Sequence, residues 1–141
     1  MMKKTILKTT LITVCLTSLA LFAGDYVVIV NPANAMGSIS KGELKRLYTG
    51  KMKEVDGKKA VPVNMNYDTP TAEEFLSEVT GKDPSKYKKF WVDQMIKGNG
   101  TAPMIKPNSA AVKAIVSQIP GAVGYVPAAD VDATVKSITL N

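Results

Sequence analysis

The sequence predicts a three-layer α/β sandwich, and three observations carry that reading. Segments with the two-residue period of a strand alternate with segments with the 3.6-residue period of a helix along most of the chain. One strand segment, Tyr26-Val27-Val28-Ile29-Val30, is continuously apolar and β-branched, as a central strand covered on both faces is. Each helical segment carries a single apolar stripe, which needs a sheet to lie on.

The first two dozen residues stand apart from that pattern. Lys3, Lys4 and Lys8 form a basic front, Leu11 to Phe22 is a short apolar run broken by Thr13, Thr17 and Ser18, and small residues follow. Residues 1–23 are therefore expected to be a secretory signal peptide, with cleavage after Ala23 and a rival small-x-small site at Ser18-Leu19-Ala20. The run is shorter than the roughly 20 apolar residues that span a bilayer, so no stable membrane span is expected after cleavage. The mature part, 24–141, is expected to be one α/β domain in the periplasm or secreted, large enough to bury most of its surface without staples.

After the first strand, Asn31-Pro32-Ala33-Asn34 reads as a turn. Ser40 with Glu43 three residues on is the signature of a helix start, and Leu44, Leu47 and Tyr48 form that helix's inner face. Gly50 supplies the left-handed residue that closes it. Lys51 to Lys59 is polar, with a turn at Asp56-Gly57. Val61, Val63 and Met65 alternate with Pro62, Asn64 and Asn66, which predicts a strand with one face on the core. The period then changes: Ala72, Phe75, Leu76 and Val79 face inward, and Glu73, Glu74 and Glu78 face water. Gly81 ends this helix. Asp83-Pro84 begins the next, with Tyr87, Phe90, Trp91 and Met95 near one stripe as core. Residues 98–103 read as a loop, Ser109 opens a helix with the stripe Val112, Ile115, Val116 and Ile119, and Pro120-Gly121 stops it. Ala122 to Val126 returns as a strand ended by Pro127, and Val135 to Leu140 alternates as a last strand at an edge or half covered.

Composition removes several function classes. There is no histidine, and the only cysteine, Cys15, lies in the leader, so disulfides, thiol catalysis, Ser-His pairs and the usual zinc sites are not expected; neither is a metal or a cofactor. With three lysines lost in the leader, 15 basic and 12 acidic residues leave a formal charge of +3. Arg46 is the one arginine, whereas base reading and phosphate clamping favour the planar guanidinium, so no nucleic-acid partner is expected. Lys82, Lys86, Lys88 and Lys89 read as a solvated face. Side chains at Glu73 and Glu74 diverge on a helix, which speaks against a carboxylate pair and against catalysis.

The candidate site is the junction between the strand ending at Met65 and the helix that follows. Two starts compete: Thr71 with Glu74, or Thr69 with Pro70 at the first helical position. Either leaves N–H groups and the positive end of the helix dipole at the strand tip, beside two threonine hydroxyls, and an anion fits there. The same residues are also ordinary capping chemistry.

The order of motifs resembles the second lobe of periplasmic phosphate-binding proteins of ABC transporters, in the type II solute-binding superfamily. Three pieces carry the resemblance: Val27-Val28-Ile29-Val30-Asn31-Pro32, the helix Ser40 to Tyr48 ending in Thr49-Gly50-Lys51, and Pro120-Gly121-Ala122-Val123-Gly124-Tyr125-Val126. It implies a single lobe of a type II periplasmic-binding-protein-like fold. It also implies an oxyanion site at a Ser-Gly-Thr turn, which falls on Thr69-Pro70-Thr71 when aligned on Phe75. The family's arginine on the preceding strand falls near Met65 and is absent, and Pro70 in place of glycine removes one N–H. A charge-assisted hydrogen bond contributes roughly 1.5–3 kcal/mol and a neutral one about 0.5–1.5, so together these departures cost on the order of a hundredfold in affinity or more.

The expected function is thus an exported, non-catalytic solute-binding-like protein that takes phosphate, another oxyanion or a polar solute weakly at Thr69, Thr71, Asn66 and Asp68. The alternative is an envelope protein–protein interaction module that has lost ligand binding and meets a protein partner, or a second copy, across the open cleft face.

Overall fold

The computed structural model describes residues 26–141, so the expected signal peptide lies outside the described residues. Tyr26–Val30 forms β1 and Ser38–Ile39 forms β2. Helix α1, Lys41–Tyr48, starts where Ser40 accepts the Glu43 N–H and buries Leu44, Leu47 and Tyr48 as its stripe predicts. Gly50 follows at φ 76, and a side chain there would meet the Trp91 ring at 2.7 Å, so both conformation and space require glycine. The polar stretch after it is more ordered than its sequence suggests. Glu54–Val55 (β3) and Lys58–Lys59 (β4) form a small hairpin around Asp56 and Gly57, both at positive φ, as a tight two-residue turn demands.

Val61–Met65 is β5, and here the expectation of a half-covered strand needs correction. Asn64 is fully buried along with Val63 and Met65, because β5 lies inside the sheet with helices on both sides. Helix α2, Pro70–Phe75, runs on without a break into a π-helical turn, Leu76–Thr80, ended by Gly81 at φ 71. Ala72, Phe75, Leu76 and Val79 are buried as predicted, but of the three glutamates only Glu73 is exposed, Glu74 and Glu78 being half-buried. Glu78 accepts a 2.6 Å bond from the Tyr26 hydroxyl, which draws that side of the helix towards β1.

Helix α3, Pro84–Ile96, is capped by Asp83 and buries Tyr87 and Trp91, with Phe90 half-buried. Met95, expected in the core, is 50% exposed: it sits a turn beyond Trp91, past the last core side chain the helix meets. Met104–Lys106 forms β6 between Pro103 and Pro107, inside a stretch too short and too mixed to show a strand period. Asn108 caps α4, Ser109–Gln118. Ala122–Pro127 is β7, a 3₁₀ turn follows at Ala128–Asp130, and Lys136–Leu140 is β8.

The strands form one six-stranded mixed sheet in the order β2-β8-β1-β7-β5-β6. β1 runs antiparallel to β7 and β8, whereas β5 runs parallel to β7 and β6. Two neighbouring residues of β7 establish the layers. A side chain at Gly124 would meet Val112 and Val116 at 3.0 and 3.1 Å, so that face carries α4 in close approach. Tyr125, on the opposite face, stacks on Phe75 of α2 at 3.7 Å and lies 6.1 Å from the Tyr48 ring of α1. Helices therefore cover both faces, and the fold is the three-layer sandwich the sequence predicts.

A buried polar chain joins the middle layer to the helices above it. Tyr125 Oη donates to Asn64 Oδ1 at 3.0 Å and accepts the Met65 N–H at 3.2 Å; Asn64 Nδ2 donates to Tyr87 Oη at 3.2 Å; Tyr87 Oη donates to the Tyr48 carbonyl at 2.7 Å. The Tyr48 hydroxyl lies against the Val63 and Val123 carbonyls at 2.8 and 3.1 Å. Trp91 Nε1 lies close to Tyr87 but falls short of hydrogen-bond geometry, and is the one unsatisfied buried side-chain group among the described residues. Replacing Asn64 by alanine leaves two buried hydroxyls short of a partner, and the expected cost is about 2–4 kcal/mol. A lower urea midpoint at unchanged slope is the outcome that checks it.

Burial holds all five tyrosines above their ordinary value of 10; Tyr87 is pushed up to about 12, against the lowering effect of the Asn64 amide that donates to it. A raised folded-state value favours the neutral form, so this contribution to stability is complete below pH 10 and is lost as pH rises from there through the folded values. Tyrosinate absorbance should stay low above pH 10 until the fold gives way, then rise cooperatively with loss of the circular dichroism. A gradual rise centred on pH 10 in a protein that stays folded would contradict this.

Candidate functional site

The strand-to-helix junction is built from β5 outward. Beyond Met65, the Asn66 N–H donates to the Lys106 carbonyl at 2.8 Å, which ties the turn to the end of β6. The Asn66 side-chain oxygen then accepts the Asp68 N–H at 3.0 Å, and the Asn66 carbonyl accepts both the Thr69 N–H and the Thr69 hydroxyl, at 3.1 and 2.7 Å. Thr69 Oγ1 in turn accepts the Ala72 N–H at 3.2 Å, while its carbonyl takes the Glu73 N–H. Of the two starts left open by the sequence, the chain uses Thr69 as the cap, with Pro70 at the first helical position.

Few donors of the turn remain for a ligand. Pro70 has no N–H, and the next two donors after Thr71 are satisfied by Thr69. Thr71 is left: its N–H and its half-buried hydroxyl make no hydrogen bond among the described residues. Asn66 and Asp68 are exposed beside it, with the Asn66 amide nitrogen unengaged among the described residues. The structure thus brings Asn66, Asp68, Thr69 and Thr71 into one turn, but the Thr69 hydroxyl already gives and accepts a bond within it. At the place of the family's arginine, Met65 is buried and faces no solvent.

Sequence reasoning did not single out the surroundings of this turn. Tyr67 tucks inward between the exposed Asn66 and Asp68, its ring edge-on to Tyr87 at 5.6 Å, and Lys88 Nζ lies 5.6 Å from the Tyr67 ring centre. An open groove of about 480 Å³ starts here and runs between α3 and β6 over Trp91 and Ala102. The one available signal was Lys88, Val92 and Met95 at helical spacing, of which Lys88 reads as part of a charged face and Met95 as part of a core. A cavity of about 500 Å³ adjoins the groove across Trp91 and Ala102, reaching Gly50, Pro62 and Pro103, and another of about 310 Å³ lies apart, between the β3–β4 hairpin and residues 33–36.

Acid–base chemistry finds little to work with. Glu73 and Glu74 are neighbours on one helix and diverge, and Glu78 is engaged by Tyr26. Among the described residues no group of three or more His, Cys, Asp or Glu could hold a metal ion, and no helix is long and apolar enough to cross a membrane.

No protein-family model matches the chain, and no curated protein matches it. Solved structures do match in fold. An ABC-type phosphate transport receptor from Vibrio cholerae aligns at a TM-score of 0.63 with 20% identity, over 82% of this chain and 45% of that one. A Clostridium perfringens protein assigned as a phosphate ABC transporter substrate-binding protein, solved with bound phosphate, aligns at 0.65 with 19% identity, over 82% and 44%. PstS from Borrelia burgdorferi aligns at 0.58 with 12% identity, over 82% and 47%. The chain therefore has the fold of a type II periplasmic-binding-protein-like lobe and spans less than half the length of these structures.

The two threonines should separate in their effect on stability. Thr69→Ala removes the cap and is expected to cost about 1 kcal/mol, whereas Thr71→Ala should stay within about 0.5 kcal/mol of the parent. Urea unfolding of the two variants side by side measures the difference, and equal losses would reassign the cap.

Proposed function

We propose that residues 24–141 form an exported, non-catalytic solute-binding-like protein of the periplasm, which takes phosphate, another small oxyanion or a polar solute weakly at the Asn66–Thr71 turn. One observation carries the reading: in a fold shared with phosphate transport receptors, the Thr71 N–H and hydroxyl make no hydrogen bond among the described residues, where β5 passes into α2. Thr71 is assigned both donors, Asn66 a third through its amide nitrogen, and Thr69 the role of holding the turn in shape. Asp68 opposes an anion and favours a ligand that carries its own donor, such as a protonated oxyanion. Three neutral hydrogen bonds at about 0.5–1.5 kcal/mol each reach millimolar affinity at best.

Titration with phosphate, sulfate and related oxyanions, followed by amide chemical shifts, tests this. The expected result is saturable movement at residues 66–72 in the millimolar range, removed by Thr71→Ala with the fold intact. Shifts scattered over the lysines, or none, would sink the proposal.

A second reading, an envelope interaction module, is favoured by a separate feature. All five of the large hydrophobic side chains exposed among the described residues, Val92, Met95, Ile96, Met104 and Ile105, belong to α3 and β6. Such clustering is more typical of a contact surface than scattered exposure is. Light scattering that shows a dimer dissociated by Ile96→Asp would support it.

A further inference from the structure

We propose that the groove between α3 and β6 is a binding site for an amphipathic anion: an acyl or similar apolar body carrying one carboxylate head. The inference goes beyond the oxyanion reading and does not depend on it: the two share Asn66, but this one rests on Lys88 and the apolar walls of the groove.

Shape and lining come first. The groove has a volume of about 480 Å³, within the range of small-molecule sites, which are mostly apolar with a few polar groups that orient the ligand. Val92 and Met95 of α3 form one wall and Ile105 of β6 the other; each is about half exposed, and Trp91 lies between them. These side chains present apolar surface to water that a ligand's hydrocarbon would cover.

The polar groups lie at one end. Lys88 is a turn before Val92 on α3, its ammonium group over the Tyr67 ring, and Asn66 precedes Tyr67 in the chain. Both line the groove, and among the described residues Lys88 is its only charged lining residue. The nearest acids in sequence, exposed Asp68 and Asp93, do not line it. A carboxylate placed there meets one ammonium and one amide donor, and the tail then runs along Val92 and Met95. Charge also favours an anion over a wider radius. From Lys82 to Lys97 five lysines face two aspartates, so this segment alone carries a formal +3. β6 sits between Pro103 and Pro107 and is three residues long, which makes its edge a poor template for an added strand. Recognition here therefore falls to side chains lining a concave surface.

The chain provides its own reporter, since Trp91 is its only tryptophan and lines the groove. The probe is decanoate below its micelle concentration, added to protein comprising residues 24–141, with decanol and inorganic phosphate in parallel. Expected is a saturable change in tryptophan emission with decanoate, with amide shifts confined to residues around the groove. Lys88→Gln should weaken it about tenfold, and Met95→Lys or Ile105→Lys, both at exposed positions, should abolish it while thermal unfolding stays unchanged. Phosphate should leave the emission unmoved. Phosphate shifts at 66–72 without a decanoate response would overturn this proposal alone, and the reverse result would overturn the oxyanion reading alone. Equal binding of decanol, indifference to Lys88→Gln, or a response only to anionic phosphatidylglycerol vesicles would also overturn it, the last in favour of a lipid surface.

Discussion

The arrangement depends on one buried amide. Asn64 sits in the middle of the sheet, fully out of water, with its oxygen on Tyr125 and its nitrogen on Tyr87. An amide buried that deeply is tolerable only when both ends are satisfied, so it prescribes where two tyrosines from β7 and α3 must stand. Tyr87 then reaches back to the Tyr48 carbonyl, and α1, α3, β5 and β7 share one register. Apolar packing alone would tolerate a slip between these layers; this chain of hydrogen bonds does not.

That constraint explains the shape of the surface above it. With Asn64 and Met65 committed inward, β5 emerges at Asn66, and its next residue, Tyr67, returns to pack on Tyr87. The turn therefore projects only Asn66 and Asp68 before the helix begins. Capping uses most of the donors a helix start can offer, and proline removes one more. The result is a small polar tip with a larger apolar groove beside it, and the two differ in what they can hold. Hydrogen bonds in the open tip compete with water, whereas apolar cover in the groove gains from its exclusion.

Much of this fold was legible in the sequence because the signals were local and redundant. β1 announced itself by an unbroken apolar run, α1 by Ser40 and its stripe, and β7 by the strand between Pro120-Gly121 and Pro127. What stayed hidden was set by distant partners. Asn64 looked like the polar half of an alternation, and only its partners, 23 and 61 residues away, turn it into core. β2, β3, β4 and β6 are two or three residues long, too short for any period to show. Met95 kept the helical spacing of a core residue, but the helix outran the layer beneath it. At the site, the sequence located the turn yet could not choose between Thr69 and Thr71 as the cap, since both carry the same hydroxyl. We have no physical account of the π-helical turn at Leu76–Thr80.

The sheet ends in a two-residue strand, β2, at one side and in the proline-bounded β6 at the other. Neither edge offers another chain more than a few hydrogen bonds, and where β5 parts from β7 beyond Pro62 the Tyr48 and Tyr125 hydroxyls take up the free carbonyls of Val63 and Val123 and the Met65 N–H. Copies of the folded protein therefore gain little from joining their sheets edge to edge, so fibril growth by that route would require partial unfolding first. The same prolines that make β6 nearly invisible in the sequence thereby guard the native state against polymerisation.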